Sequence, residues 1–398
     1  MNARTEEAGP SRLASALLAA GALTPDWLAA FEAVPRELFV PDRVWPGIAD
    51  GTRQNPVVDR AKDPEAWFEA VYSDIPLTTQ WDDGAHTGDG LGTTPSSSSS
   101  QPRMVFSMLA DLGVQDGHRV LEIGTGTGWN AGLLSHRLGG TNVVSVEYDG
   151  EVAQGAGENL RAAGLRPLVM AGDGRLGFTG NAPYDRVIAT CSVGAVPSAW
   201  VEQTRPGGLV VTPWGTEYGG EAVARLVVGD DGTASGRFTR SSAFMRLRQQ
   251  RAARPPHAAY LNGRAWPADG VRSRTPLSPA AVGGWVEQFV IGLRVPGAFW
   301  TVERYEGGAY TLWTYSTDAM SWASADYECG ADSYEVVQSG PRRLWDETEA
   351  AYHWWDQRGR PGFDRFGLTV DGDRERVWLD APDDGGASSR PTRPGPRR

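Results

Sequence analysis

The sequence predicts a doubly wound, Rossmann-like α/β domain with an N-terminal helical layer before it and a separate α+β region after it. Three observations carry the prediction. Short β-rich runs alternate with helical segments from about residue 119 to residue 250, the first such run enters a glycine-rich turn, and tryptophans concentrate late in the chain. Alternation of this kind belongs to a parallel sheet covered on both faces. The 398 residues, 40% hydrophobic and 22% charged, leave room for about two globular domains.

Residues 1–80 read as a helical cap. Leu13, Leu17, Leu18, Leu28 and Phe31 fall on one helical stripe, followed by the loop-like segment 34–41. Residues 81–100 turn to Gly, Thr, Pro and Ser and end in five serines, Ser96 to Ser100. That composition predicts a flexible loop, and its position just before the helix 101–112 and the first strand makes it a lid. Strands are expected at 119–123, 143–147, 168–171, 185–189 and 208–213, with helices at 129–138 and 152–163, completing a domain over 81–250.

Residues 251–279, rich in Arg, Pro and Ala, read as a connector. An accessory region follows at 280–382, with strands expected at 287–295 and 310–315 and a helix at 346–358. Together with the connector it holds nine of the sixteen tryptophans, a density that suits a core and also a peptide-recognition surface. Residues 383–398 lack apolar content and read as a disordered tail.

Several function classes are disfavoured. No run approaches the ~20 apolar residues of a membrane span, and the N-terminal apolar stretch is interrupted by Gly21, so neither membrane insertion nor secretion is expected and the location is cytoplasmic. The formal charge of −11 disfavours nucleic acid as a partner. Cys191 and Cys329 have neither disulfide nor metal-ligand spacing, so no metal is expected. The five histidines, with His86 on the lid as a minor candidate, form no pairing that demands a catalytic role.

The chemistry concentrates at strand ends. The run from Val120 to Ala131, VLEIGTGTGWNA, places Gly124, Gly126 and Gly128 at alternate positions, where missing Cβ atoms permit a sharp bend and a close ligand. The spacing departs from the dinucleotide fingerprint, and Glu122 stands before the turn, which suits a cationic amino-acid cofactor better than a pyrophosphate. S-adenosyl-L-methionine is therefore expected, leaving as S-adenosyl-L-homocysteine. Glu147, at the end of the next strand, is placed to accept from ribose hydroxyls. Asp173, between Gly172 and Gly174 after a third strand, is placed to accept from the adenine amine. Any of these features alone is an ordinary turn or a solvated acid; their repetition at three strand ends carries the reading. The cofactor set is Glu122, Gly124, Thr125, Gly126, Thr127, Gly128, Trp129, Glu147, Tyr148, Gly172, Asp173 and Gly174.

These residues, with Val34-Pro-Arg-Glu-Leu-Phe-Val-Pro41, Tyr72-x-Asp74-x-Pro76-Leu77, Ser98-Ser-Ser-Gln-Pro102, Ala182-Pro-Tyr-Asp185, Pro197 and Gln203-x-x-Pro-Gly-Gly-Leu-Val-Val-x-Pro213, resemble the protein-L-isoaspartate O-methyltransferase family across roughly residues 30 to 250. The resemblance implies a class I methyltransferase fold and assigns the acceptor site to the serine segment. Ser100 is the first candidate for contacting the acceptor carboxylate, with Ser98 and Ser99 after it. A carboxylate is already a competent nucleophile toward a sulfonium methyl, so alignment and water exclusion suffice without a strong base. The longer loop at Trp81-Asp-Asp-Gly84 and the tryptophan-rich extension depart from the compact repair enzymes. The segments 310–315 and 362–368 are similar to an actinobacterial subgroup that tailors ribosomally made peptides of the lanthipeptide, graspetide or lasso type. That resemblance implies methylation of an aspartate in a modified, macrocyclic precursor peptide by a monomeric enzyme, leading to succinimide and isoaspartate. General isoaspartyl repair, small-molecule O-methylation and a peptide-binding scaffold with a vestigial site remain the alternatives.

Overall fold

A computed structural model describes residues 3–47, 55–382 and 388–391. The chain divides into two compact units, neither of them contiguous in sequence. The first comprises Met1–Cys191, Pro197–Thr212 and Arg225–Ser235; the second comprises Ser192–Val196, Pro213–Ala224 and Gly236–Arg398.

In the first unit the expected parallel sheet is present. The strand Val120–Ile123 lies between Val143–Glu147 and Tyr184–Ala189, with Leu168–Ala171 beyond the former and Thr204–Thr216, as far as Thr212 in this unit, beyond the latter. The order of the strands reverses beside Val120–Ile123. Ligands of open parallel sheets bind outside the carboxyl ends of the strands at such a reversal, which is where the glycine turn begins. The strand Val120–Ile123 is buried throughout, as a central strand covered on both faces should be. Aromatic packing ties the helical layer to the sheet. Phe106 of the helix Pro102–Leu112 stands edge-on to Phe31 of Pro25–Ala33 and to Trp129 of Trp129–Leu138, each at 5.8 Å between centroids.

The serine run is not a loop. Pro95–Ser99 is a strand paired antiparallel with Leu77–Trp81, in a small sheet that continues through Arg43–Pro46 to Val58–Asp59. Ser97 and Ser99 are buried while Ser96 and Ser98 are half-buried, an alternation that composition conceals. Within residues 82–94 the chain makes its excursion, folded over the Asp82 carboxylate, which accepts from the amides of Thr93 and Thr94.

The second unit contains a five-stranded antiparallel sheet in the order Val271–Thr275, Tyr334–Ser339, Trp322–Tyr327, Tyr310–Ser316 and Ala298–Arg304. Helices Trp285–Arg294 and Leu344–Asp356 pack on one face, joining Ile291, Leu344, Trp345 and Ala351 to Ala298, Leu312, Ala325 and Val336. Three corrections arise here. Residues 287–295, expected as a strand, lie in the helix Trp285–Arg294 and its C-cap Val295, because a short run buried nearly all round has no periodicity to separate helix from strand. The stretch 251–279, expected as a connector, contributes the helix His257–Leu261 and the edge strand Val271–Thr275. Within the expected tail 383–398, Ser388–Pro391 pairs with Arg374–Leu379, which also pairs with Phe366–Asp371; the rest of that tail lies outside the described residues.

Phe289 anchors a second aromatic core, with Trp214, Phe238, Phe363 and Phe366 all within 6.2 Å between centroids. Truncation there removes a large buried ring from several partners at once. F289A should lower stability by about 4 kcal/mol in denaturant unfolding, read from tryptophan fluorescence.

Candidate active site

The glycine turn has the geometry its sequence demands. Gly124, Gly126 and Gly128 take φ of +92°, +54° and +94°, a region that side chains disfavour. Space is tight for side chains as well. A Cβ on Gly124 would stand 2.8 Å from Thr190 Oγ1, and one on Gly126 would stand 3.1 Å from the Ser98 carbonyl oxygen. The second contact is informative, because it brings the serine strand directly against the turn.

Glu147 closes the other side. One carboxylate oxygen accepts from the Gly126 amide at 2.9 Å and the other from the Asp149 amide at 3.2 Å, while the Glu147 carbonyl accepts from Gly172 N at 2.8 Å. Three expected site segments therefore meet through hydrogen bonds. Asp149 caps the helix Gly150–Ala162 and also accepts from Gln80 Nε2 at 3.1 Å, and Gln80 Oε1 accepts from Ser96 Oγ at 2.8 Å. The hairpin that carries the serines is thus tied through Gln80 to the N-terminus of the helix Gly150–Ala162, and Ser96 holds Gln80 in place. Tyr148, between Glu147 and Asp149, is 51% exposed.

Asp173 begins the short turn Gly174–Leu176, accepting from Arg175 N at 3.0 Å. The Arg175 side chain reaches back to the same carboxylate, with Nη2 donating at 2.7 Å and Nε at 3.0 Å. Burial works against the charged form, but the Arg175 hydrogen bonds and charge hold the Asp173 carboxyl below the usual range. Trp200 Nε1 donates to Gly174 O at 2.8 Å and fixes the loop from beneath.

Four expected site residues turn inward instead. Glu122 is wholly buried and accepts from Asn130 Nδ2 at 2.7 Å and from Ser145 Oγ, so it organises the turn from below. Thr125 is buried and hydrogen-bonded to Ser145 Oγ at 2.6 Å. Trp129 is buried in the aromatic layer and donates from Nε1 to Val34 O at 3.0 Å. Ser99 is buried, and its Oγ accepts from Arg36 Nε at 3.2 Å. Each is a neighbour of the surface residues that line the site, and sequence position alone cannot separate the two layers. Thr127 is half-buried, its carbonyl accepting from Asn159 Nδ2 at 3.1 Å. Ser98 and Ser100 are half-buried.

Two arginines were missed. Arg175 was two residues from Asp173, at a spacing that an acidic turn commonly uses for its own counter-ion. Arg36 belongs to the segment 34–41, singled out by resemblance but given no role; it lies beneath the serine strand and donates to Ser100 O at 2.8 Å. Among the described residues no group of His, Cys, Asp and Glu has the arrangement of a metal site, and no helix is long and apolar enough to cross a membrane.

With this geometry in hand, comparisons with known proteins are specific. A family model described as protein-L-isoaspartate(D-aspartate) O-methyltransferase matches residues 56–252. The protein-L-isoaspartate O-methyltransferase of Pyrococcus abyssi is 37% identical over 164 residues, covering 41% of this chain and 76% of that protein. The protein of the same name from Methanosarcina mazei is 37% identical over 155 residues, 38% of this chain, and the match spans 58% of its length. A solved structure of a protein-L-isoaspartate O-methyltransferase aligns with a TM-score of 0.50 and 22% identity over 94% of this chain and 100% of its own. That alignment reaches past the parallel sheet, so the β-rich addition has a counterpart in a solved fold.

Burial pushes the Glu122 carboxyl up to about 7, with Glu147 adding to the shift and the Ser145 and Asn130 hydrogen bonds opposing it. The folded protein therefore holds this proton more tightly than the unfolded chain. Its contribution to stability is present at pH 4.5 and is lost as pH rises toward and through 7. Melting temperature should accordingly fall between pH 5 and pH 8 more in the native protein than in E122Q, whose side chain does not titrate.

Proposed function

The chain belongs to the protein-L-isoaspartate(D-aspartate) O-methyltransferase family, a family of S-adenosyl-L-methionine-dependent enzymes, and from that premise we propose that it methylates a side-chain carboxylate of an aspartyl residue in a peptide. The observation that carries the proposal is the approach of the Ser98 carbonyl to Gly126, which makes acceptor strand and cofactor turn one surface.

The residues fit the cofactor. The turn at Gly124 to Gly128 leaves backbone open where any side chain would intrude. Glu147 accepts two backbone hydrogen bonds, and a carboxylate has about four acceptor positions, so capacity remains for ribose hydroxyls. The Asp173 acceptor positions are taken by Arg175 N, Nε and Nη2, so it would accept from the adenine amine once the Arg175 side chain moves aside. Gly172, with open space where a Cβ would stand, would let the ring approach, with Tyr148 exposed beside it. When bound, the cofactor supplies an electrophilic methyl on a sulfonium. Ser98 and Ser100 would orient the acceptor oxygen by hydrogen bonds that leave its charge intact, and the hairpin over residues 77–99 would exclude water.

The bound cofactor would supply its methyl group to the carboxylate oxygen that Ser98 and Ser100 orient, so that the acceptor would leave as a methyl ester and the cofactor as S-adenosyl-L-homocysteine. Attack on that ester by the next backbone amide nitrogen expels methanol and closes a succinimide, which water opens mainly to isoaspartate. A macrocycle that holds the nitrogen near the ester favours closure.

We assign the acceptor to an aspartate of a modified, macrocyclic, ribosomally made peptide, with the second unit recognising that peptide. The extended hairpin excursion and the resemblance of segments 310–315 and 362–368 support this assignment. General isoaspartyl repair is the competing reading, favoured by the names of the relatives and by the solved counterpart that spans most of the chain.

Mass spectrometry separates the two. With a cyclic aspartyl peptide the enzyme should add one methyl group and then leave a product one water lighter than the starting peptide. Methylation of isoaspartyl peptides alone, with cyclic aspartyl peptides untouched, would assign repair. Within the site, D173A should weaken S-adenosyl-L-homocysteine binding by about tenfold or more in calorimetry. S100A should leave that affinity unchanged and lower kcat by at least about tenfold.

A further inference from the structure

We propose that Arg36 is the fixed positive charge of the acceptor site, a positioning residue that draws the substrate carboxylate onto the serine strand. The proposal rests on the carboxyl-methylation reading above.

Arg36 is 1% exposed, and every hydrogen bond it makes ends on a neutral oxygen. Nη1 donates to Val71 O at 2.8 Å and Ser73 O at 3.3 Å. Nη2 donates to Ile75 O at 3.3 Å, Ser99 O at 3.2 Å and Ser100 O at 2.8 Å, and Nε donates to Ser99 Oγ at 3.2 Å. No carboxylate among the described residues lies at salt-bridge distance from this guanidinium. Asp74, the acid whose charge acts on it, is engaged elsewhere, accepting from Arg103 N and Arg103 Nε at 2.8 Å each. Glu37 accepts from Tyr72 OH. On its remaining side the guanidinium stands 5.3 Å from the Trp129 ring.

Burying a cation is costly unless it is paired, and carbonyls alone can be tied together by neutral amides without that cost. A charge kept here without a counter-ion therefore has a use for an anion that arrives later. The reaction brings one, a carboxylate seated on Ser98 and Ser100. Since carbonyl oxygens already occupy the Arg36 donors, the guanidinium attracts this carboxylate through space and does not clamp it. The acceptor is held while its nucleophilic lone pairs stay free. Because the guanidinium is buried, the attraction exceeds what two solvated charges would feel.

The test compares R36K, which keeps the charge, with R36Q, which keeps hydrogen bonding without it. Full-length proteins are assayed for S-adenosyl-L-homocysteine affinity by calorimetry and for KM and kcat with the peptide that the native enzyme methylates. R36Q should raise the acceptor KM about tenfold with cofactor affinity unchanged, and R36K should restore most of the loss. An unchanged KM in R36Q, or equal losses in R36K and R36Q, overturns the proposal. Should R36Q not fold, the native protein decides: with S-adenosyl-L-homocysteine present, the carboxylate peptide should bind about tenfold tighter than the same peptide carrying a carboxamide at that position, and equal binding overturns the proposal. If the native enzyme methylates no aspartyl or isoaspartyl peptide, the functional reading itself is what fails.

Discussion

A Cβ on Gly126 would stand only 3.1 Å from the Ser98 carbonyl oxygen, and the candidate site depends on this close approach of glycine turn and serine strand. It requires a left-handed glycine in the turn, a paired strand opposite, and a support holding each in place. The turn is supported by Glu147, whose carboxylate takes the Gly126 amide and whose carbonyl takes Gly172. The strand is supported by its partner Leu77–Trp81 and by the Gln80–Asp149 hydrogen bond. A turn and a strand distant in sequence are thereby held against each other, and fixed placement is what an alignment-driven reaction needs.

Beneath this surface lie two buried ionisable groups that do not pair with each other. Glu122 is satisfied by Asn130 and Ser145, Arg36 by carbonyls of residues 71, 73, 75, 99 and 100. Burial shifts each toward its neutral form, Glu122 up to about 7 and Arg36 down to about 9. Both hold backbone in place from the protein side, one under the glycine turn and the other under the serine strand. The two halves of the candidate site share this construction: an ionisable group below, small residues above.

Much of this was legible in the sequence, and the exceptions have physical reasons. Alternating glycines and strand-end acids announced the sheet and its ligand edge, because backbone bends and strand ends are local features. The serine run misled, since low complexity describes composition while strand formation depends on partners; Leu77–Trp81 supplies the partner and burial alternates accordingly. Residues 285–294 misled in a different way, because burial on most sides erases the periodicity that distinguishes a helix. Depth was the third thing hidden. Glu122 and Glu147 each end a strand, yet one is sealed beneath the turn and the other meets it from the side. Arg36 escaped notice because its partners are carbonyls, which every residue has and no side-chain pattern reveals.

The interleaving of the two units bears on how such a chain can change over generations. Segments 192–196 and 213–224 belong to the second unit although the first resumes after each of them. A single crossover or a stop codon near residue 236 would leave those two segments without the rest of the unit they belong to. The β-rich unit is therefore not a detachable cassette. Exchanging it between relatives would require coordinated changes at several places in the gene, which favours inheriting both units together and altering specificity by substitutions within them.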